Sequence, residues 1–201
     1  MRHSVIALFS LGLLAAFPCL AAPSEKESTY EIEVVVFENR LPDLIGDEML
    51  AKPADTRIQS LENVAIPEPA VSEPYLYPSM TTLMEQDGHY RVLAHQLWQQ
   101  TVDAKTIAKP IRIVGNTPGE LDGTIRFYMS RFLHLDADLV FRENISSTDQ
   151  PGAILYRLTE QRKLKSQEIN YFDHPKFGLL VRIMPLEKVT DKDAEKERTK
   201  L

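Results

Sequence analysis

LDGTIRFYMSRFLHLDADLVFRE, residues 121–143, is the stretch on which the fold turns. Ile125, Phe127, Met129, Leu133, Leu135, Leu139 and Phe141 all fall on odd positions. Thr124, Arg126, Tyr128, Ser130, His134, Asp136 and Asp138 fall on even ones, and Arg131 and Phe132 are the exceptions. A period of two is the signature of a strand with one face buried and the other exposed or partnered, as antiparallel sheets allow. At about 3.3 Å per residue the run is long for a single strand. It predicts one bent strand, or two strands broken near Leu135.

Other segments read in the same way. YEIEVVVF, Tyr30–Phe37, puts Tyr30, Ile32, Val34 and Val36 on one face. Glu31 and Glu33 begin the second face, and Val35 and Phe37 bury it further along. HYRVLAHQLWQQTV, residues 89–102, fits a helix or a strand, and Gly88 just before it favours the strand. In strand form Leu93 and Leu97 point one way and Val92, Ala94 and Trp98 the other. Ile111–Val114, Ile154–Leu164 and Gly178–Pro185 are further strands, and NYFDHPKFG, residues 170–178, is the turn between two of them. SMTTLMEQD, Ser79–Asp87, predicts a short helix capped by Ser79 and ended by Gly88. Residues 38–78 carry prolines at 42, 53, 67, 69, 74 and 78, so a long proline-rich excursion with one short helical turn is expected. The expected fold class is α+β: a strand-rich single domain over residues 22–189, with an antiparallel sheet and few short helices.

The two ends read differently. Residues 1–21 join Arg2 and His3 to an apolar run from Val5 to Phe17 and then to small residues. That is the layout of a signal peptide cut after Ala21, and the run is shorter than the roughly 20 apolar residues a membrane span takes. Pro18 stands where a lipoprotein signal needs a small residue before Cys19, which argues against lipidation. Export follows, with no stable membrane anchor after cleavage. Cys19 is the only cysteine, so the exported chain relies on its core and not on disulfides. Removing Arg2 takes the 23 basic residues to 22 against 29 acidic, a formal charge of −7. Such a balance argues against nucleic-acid binding. Residues 190–201 form a charged tail.

Enzyme signatures are missing. There is no G-x-S-x-G and no H-E-x-x-H, and the glycines at 115, 119 and 123 lack the Lys-Ser/Thr of a phosphate loop. His134, Asp136 and Asp138 would share one strand face, spaced too widely to grip one small ion, so they read as a polar face. Asp173 and His174 point to opposite sides of an extended segment, and Asp173 reads as a cap on turn amides. No catalytic residue, metal ligand or cofactor is assigned. Arg157, Arg162, Lys163 and Lys165 make a basic cluster suited to carboxylates, and Trp98, Tyr128 and Tyr171 offer ring faces for sugars.

Several blocks together resemble a known family. YEIEVVVFENR, YRVLAHQLWQQ, LDGTIRFYMSRFLHLDADLVF and LTEQRKLKSQEINYFDHPKFGLLVRIMPL, in that order, are similar to the CsiV-type periplasmic peptidoglycan-binding proteins of gammaproteobacteria. The likeness covers Tyr30 to Leu186 and is least across the proline-rich stretch. It implies an exported, non-enzymatic protein that binds peptidoglycan and supports wall assembly. It also implies a partnership with the outer-membrane lipoprotein activator of a bifunctional penicillin-binding protein. No ligand residues carry over from the family. The expected contacts are Arg131, Arg157, Arg162 and Lys165 on stem-peptide carboxylates, with Trp98 or Tyr171 stacked on sugar. Two other classes stay open: a periplasmic adaptor that binds only protein, and a hydrolase using Asp136, Asp138 or Asp173 with a histidine.

Overall fold

The computed structural model describes residues 28–41, 63–145 and 152–186. The expected signal peptide, most of the proline-rich excursion and the charged tail lie outside the described residues. Among the described residues no helix is long and apolar enough to cross a membrane.

The structure is strand-rich, with two antiparallel sheets in place of the one expected. The first has five strands: β1 (Thr29–Asn39), β2 (Glu68–Pro69), β3 (Tyr90–Thr101), β8 (Ile169–His174) and β9 (Phe177–Pro185), in the order β2-β3-β1-β9-β8. The second has four: β4 (Ile111–Val114), β5 (Leu121–Met129), β6 (Leu133–Ile145) and β7 (Gly152–Lys163), in sequence order. One helix, α1 (Leu76–Asp87), is present among the described residues.

Residues 121–143 are two strands, and the break lies at Ser130–Phe132 and not near Leu135. Met129 faces Leu133 across the turn, and the Ser130 amide donates to the Phe132 carbonyl at 3.0 Å. The two exceptions to the alternation, Arg131 and Phe132, are the turn itself. Residues 170–178 also form a hairpin, with His174 opposite Phe177.

Ile32, Val34 and Val36 of β1 meet Phe127, Leu135, Leu139 and Phe141 of the second sheet in one core cluster. The Trp98 and Phe127 ring centroids are 6.0 Å apart, and those of Phe141 and Phe177 5.8 Å. The even positions of β5 and β6 form the outer face of the second sheet. A β-bulge alters the expected facing of β3. Val36 pairs with Ala94 but Phe37 pairs with Val92, so Leu93 is the extra residue. Leu93 and Ala94 are both buried as a result, and Val92 turns to the outer face.

The outer face of β1 is buried from Glu31 to Phe37, so burial of the second face begins at its two carboxylates and not only further along. Both carboxylates meet the segment leading into α1. Ser72 donates its hydroxyl to Glu31 Oε1 and its amide to Oε2 at 3.3 Å. Glu33 accepts the amides of Tyr75, Leu76 and Tyr77 at 2.9, 2.8 and 3.0 Å. The helix therefore starts at Leu76 and not at Ser79, and its cap comes from β1 and not from Ser79. Gly88 ends it as expected, at φ 69°, with its amide on the Met84 carbonyl. Leu76 and Met84 face the sheet and are buried.

Candidate functional site

α1 packs on β3 and β1. Beside it the outer faces of β9 and β8 form the floor of a groove of about 830 Å³. Met80, Leu83 and Met84 make the helix wall, Ile169 and Leu180 lie on the sheet, and Phe37, Tyr90 and Tyr171 add aromatic rings. Asn39, Gln86, Asp173 and His174 are its polar groups.

The aromatic arrangement follows from one glycine. Gly178 of β9 sits opposite Phe37 on one side and Asp173 on the other. A Cβ there would lie 2.5 Å from Phe37 Cζ and 2.9 Å from Tyr171 Cε2. The bare backbone lets the two rings stack across it, with centroids 6.2 Å apart and an interplanar angle of 13°. Tyr90 meets Phe37 edge-on at 5.7 Å. Tyr171 keeps 46% exposure, so its ring is offered to the groove.

The polar groups are held in place. The Tyr171 hydroxyl donates to Asp173 Oδ1 at 2.6 Å. Burial, and then the Asp173 carboxylate, push the Tyr171 hydroxyl well above its ordinary pKa, so it stays a donor. His174 Nδ1 accepts the Lys176 amide at 3.2 Å. His174, and not Asp173, thus caps the turn. Burial against Tyr156 and Phe177 holds its pKa below the ordinary value, although nearby Asp173 pulls the other way.

The residues singled out from the sequence scatter. Tyr171 is in the groove. Trp98 is 2% exposed, with its ring on Phe127 and its indole N–H on Gln100 Oε1 at 3.1 Å. It is a core residue with no ring face open to a sugar, which corrects its expected role. The basic cluster is divided by strand alternation. Arg157 lies on the outer face of the second sheet, where its Nε and Nη2 grip Asp138 at 2.7 and 2.8 Å. Arg162 points to the seam between the sheets, donates to the Tyr171 carbonyl and lies 4.1 Å over the Phe172 ring. Lys165 pairs with Glu168 at 3.2 Å. Arg131 sits at the β5–β6 turn, 5.5 Å from the Phe132 ring, and Lys163 covers the same ring at 3.3 Å.

The outer face of the second sheet holds a second, polar cleft of about 300 Å³, lined by Thr124, Arg126, Asp136, Asp138, Thr159 and Gln161 among others. Its charges are spent on one another. Arg126 holds Asp136 at 2.5 Å and Gln161 donates to the same carboxylate at 2.7 Å. Burial would raise the Asp136 pKa, but these bonds prevail and hold it below the ordinary value. His134 Nδ1 lies 2.8 Å from the Phe132 carbonyl, and its ring stacks on Tyr128. Among the described residues no group of His, Cys, Asp and Glu could hold a metal ion.

The groove thus combines a stacked ring pair, apolar walls and a hydroxyl–carboxylate pair, which is the equipment of a site for an amphipathic ligand. Sequence reasoning found Tyr171 but missed Phe37, Tyr90 and the helix wall. No curated protein and no solved structure matches the chain. A family model described as "Peptidoglycan-binding protein, CsiV" matches residues 8–186. The chain, which carries the expected blocks within that range, belongs to the CsiV family of peptidoglycan-binding proteins.

Proposed function

We propose that this protein binds peptidoglycan in the periplasm, without catalysis, through the groove between α1 and the β8–β9 hairpin. The observation that carries the reading is the Phe37–Tyr171 stack over Gly178, in a chain whose family is described by peptidoglycan binding. Pyranose rings present flat C–H faces to aromatic rings and hydroxyls to groups such as Asp173. Arg131, Arg162 and Lys165 lie outside the groove lining and stay candidates for contacts with the wall. Arg157 is the least suited of the four, because Asp138 already takes its bidentate grip.

Binding is tested by co-sedimentation with protein-free sacculi, followed by analysis of the supernatant. The expected result is pelleting with no muropeptides released. Released muropeptides would establish a hydrolase, and failure to pellet would remove the reading.

Support of wall assembly through the lipoprotein activator of a penicillin-binding protein rests on the family resemblance alone. A second reading, an adaptor that binds only protein, draws on β8, which ends the first sheet as an edge strand. Such an edge can accept a strand from a partner. Retention by the immobilised activator but not by sacculi would select that reading.

A further inference from the structure

We infer that the groove reads the uncharged glycan chain of peptidoglycan and not its carboxylate-bearing stem peptides. This rests on the peptidoglycan-binding reading above and names the part of the polymer that the groove takes. The charge inside the groove is the first argument. Among the described residues no lysine or arginine lines it, and its acid and its imidazole are Asp173 and His174. Asp173 contributes an acid, and His174 is half-buried and uses Nδ1 as an acceptor for the Lys176 amide. The lining thus carries negative charge, which repels an anionic ligand.

The surrounding cations are the second argument. Arg40 and Arg91 converge on Glu38 at 3.0 and 2.8 Å, and Arg91 also binds Glu120. Arg182 lies over the Tyr75 ring at 4.2 Å. Arg162 passes to the other side of β8, onto Phe172. None of these guanidinium groups belongs to the groove lining.

The walls are the third argument. Met80, Leu83, Ile169 and Leu180 give an apolar surface beside the ring pair, which matches acetyl methyl groups and pyranose C–H faces. The acid acceptor Asp173 stands next to it, already paired with one hydroxyl from Tyr171. A neutral N-acetylated sugar chain meets all three conditions, and an ionised peptide meets only the apolar one.

The test compares three ligands for the purified protein: intact sacculi, glycan strands stripped of stem peptides by an amidase and then capped as amides at the lactyl carboxylates that cleavage frees, and soluble stem peptides as competitors. Tyr171→Ala and Leu83→Glu are measured alongside. Leu83 is 60% exposed, so its change adds a carboxylate to the wall without disturbing the core. The expected result is that stripped strands bind within about twofold of intact sacculi and excess stem peptide does not compete. Both variants should weaken binding to either polymer by about tenfold or more, as loss of a central aromatic anchor does. Binding to intact sacculi that is lost on stripping, or competed by stem peptide, would overturn the inference and leave the function standing. Wild-type binding in both variants would overturn the site. No binding to intact sacculi would remove the function itself.

Discussion

Glu33 on β1 caps the helix that begins 43 residues later at Leu76, with its Oε2 accepting the Leu76 amide at 2.8 Å. The carboxylate is 2% exposed, and His95 Nε2 lies 3.2 Å from its other oxygen. Burial would raise its pKa, but the bonds from His95 and the three amides prevail and hold it below the ordinary value of 4.5.

Removing this carboxylate orphans three amides at the start of α1, of which that of Leu76 is buried and those of Tyr75 and Tyr77 part-buried. Glu33→Ala should cost about 2–4 kcal/mol in a urea melt, since unpaired buried polar groups cost about 1–3 kcal/mol each and partial rehydration offsets some of that. Glu33→Gln should cost less, because one acceptor oxygen remains. The pKa of Glu33 is depressed on folding, so its contribution is present above about pH 4.5 and is lost as pH falls through the folded value. Melts of the wild type and Glu33→Gln should therefore converge as the pH is lowered below 4.

Gly178→Ala tests the aromatic floor. The three atoms nearest its Cβ would be ring atoms of Phe37 and Tyr171, so the rings can move and the strand should survive. The expected cost is about 1–3 kcal/mol, in the range of overpacking, with an altered near-UV circular dichroism spectrum and weakened sacculus binding. Gly123→Ala is the contrast. There the Cβ would lie 2.2 Å from the Asp138 carbonyl oxygen and 2.7 Å from Leu139 Cα. Backbone cannot step aside within a ladder, so this variant should fail to accumulate as folded protein. Equal stability of the two variants would refute the distinction.

Arg157→Ala should act on stability before it acts on binding. Asp138 is 8% exposed and would lose both hydrogen bonds from the guanidinium. Breaking a largely buried pair from one side costs about 1–4 kcal/mol after allowance for the partial exposure of Arg157. A double-mutant cycle with Asp138→Ala should return a coupling of about 1 kcal/mol or more. Sacculus binding per folded molecule should stay near that of the wild type, and a clear loss there would place Arg157 at the ligand.

His174 predicts a weakness in mild acid. Its pKa is lowered on folding, first by burial. Below its unfolded value of about 6.5 the unfolded chain binds more protons than the folded one, so stability declines as pH drops from about 6.5 towards the folded value. His174→Gln should flatten that part of the stability profile, as followed by thermal melts between pH 7 and pH 5. A slope unchanged by the substitution would show that another group supplies it.

Much of the strand content was legible because burial of one face forces an alternating pattern, as in β5 and β6. The boundary between them was not. A turn of Ser130, Arg131 and Phe132 separates Met129 from Leu133 by four positions and so preserves the odd phase. A hairpin of that length looks like a continuous strand. In β3 the bulge at Leu93 shifts the facing by one, and nothing local announces it. Glu31 and Glu33 could be read only as the start of the second face of β1, because their partners lie about 40 positions away. The groove was legible only at Tyr171. Phe37 was read as buried and is, at 7% exposure, but the glycine that turns it into half of a platform sits on another strand. Trp98 misled because a single tryptophan among glutamines looks the same whether its ring faces a ligand or Phe127.

The central position of β1 has a consequence for how the chain matures. β1 opens the described fold and β9 closes it, yet they lie side by side, with Val34 opposite Val181. Pairing the first strand with the last gives the sheet a high contact order, and loops of that length close late. A polypeptide made from its N-terminal end cannot complete this sheet until its final strand has been synthesised. The groove between α1 and the β8–β9 hairpin, whose floor includes residues of β9, takes shape only once that last strand has paired.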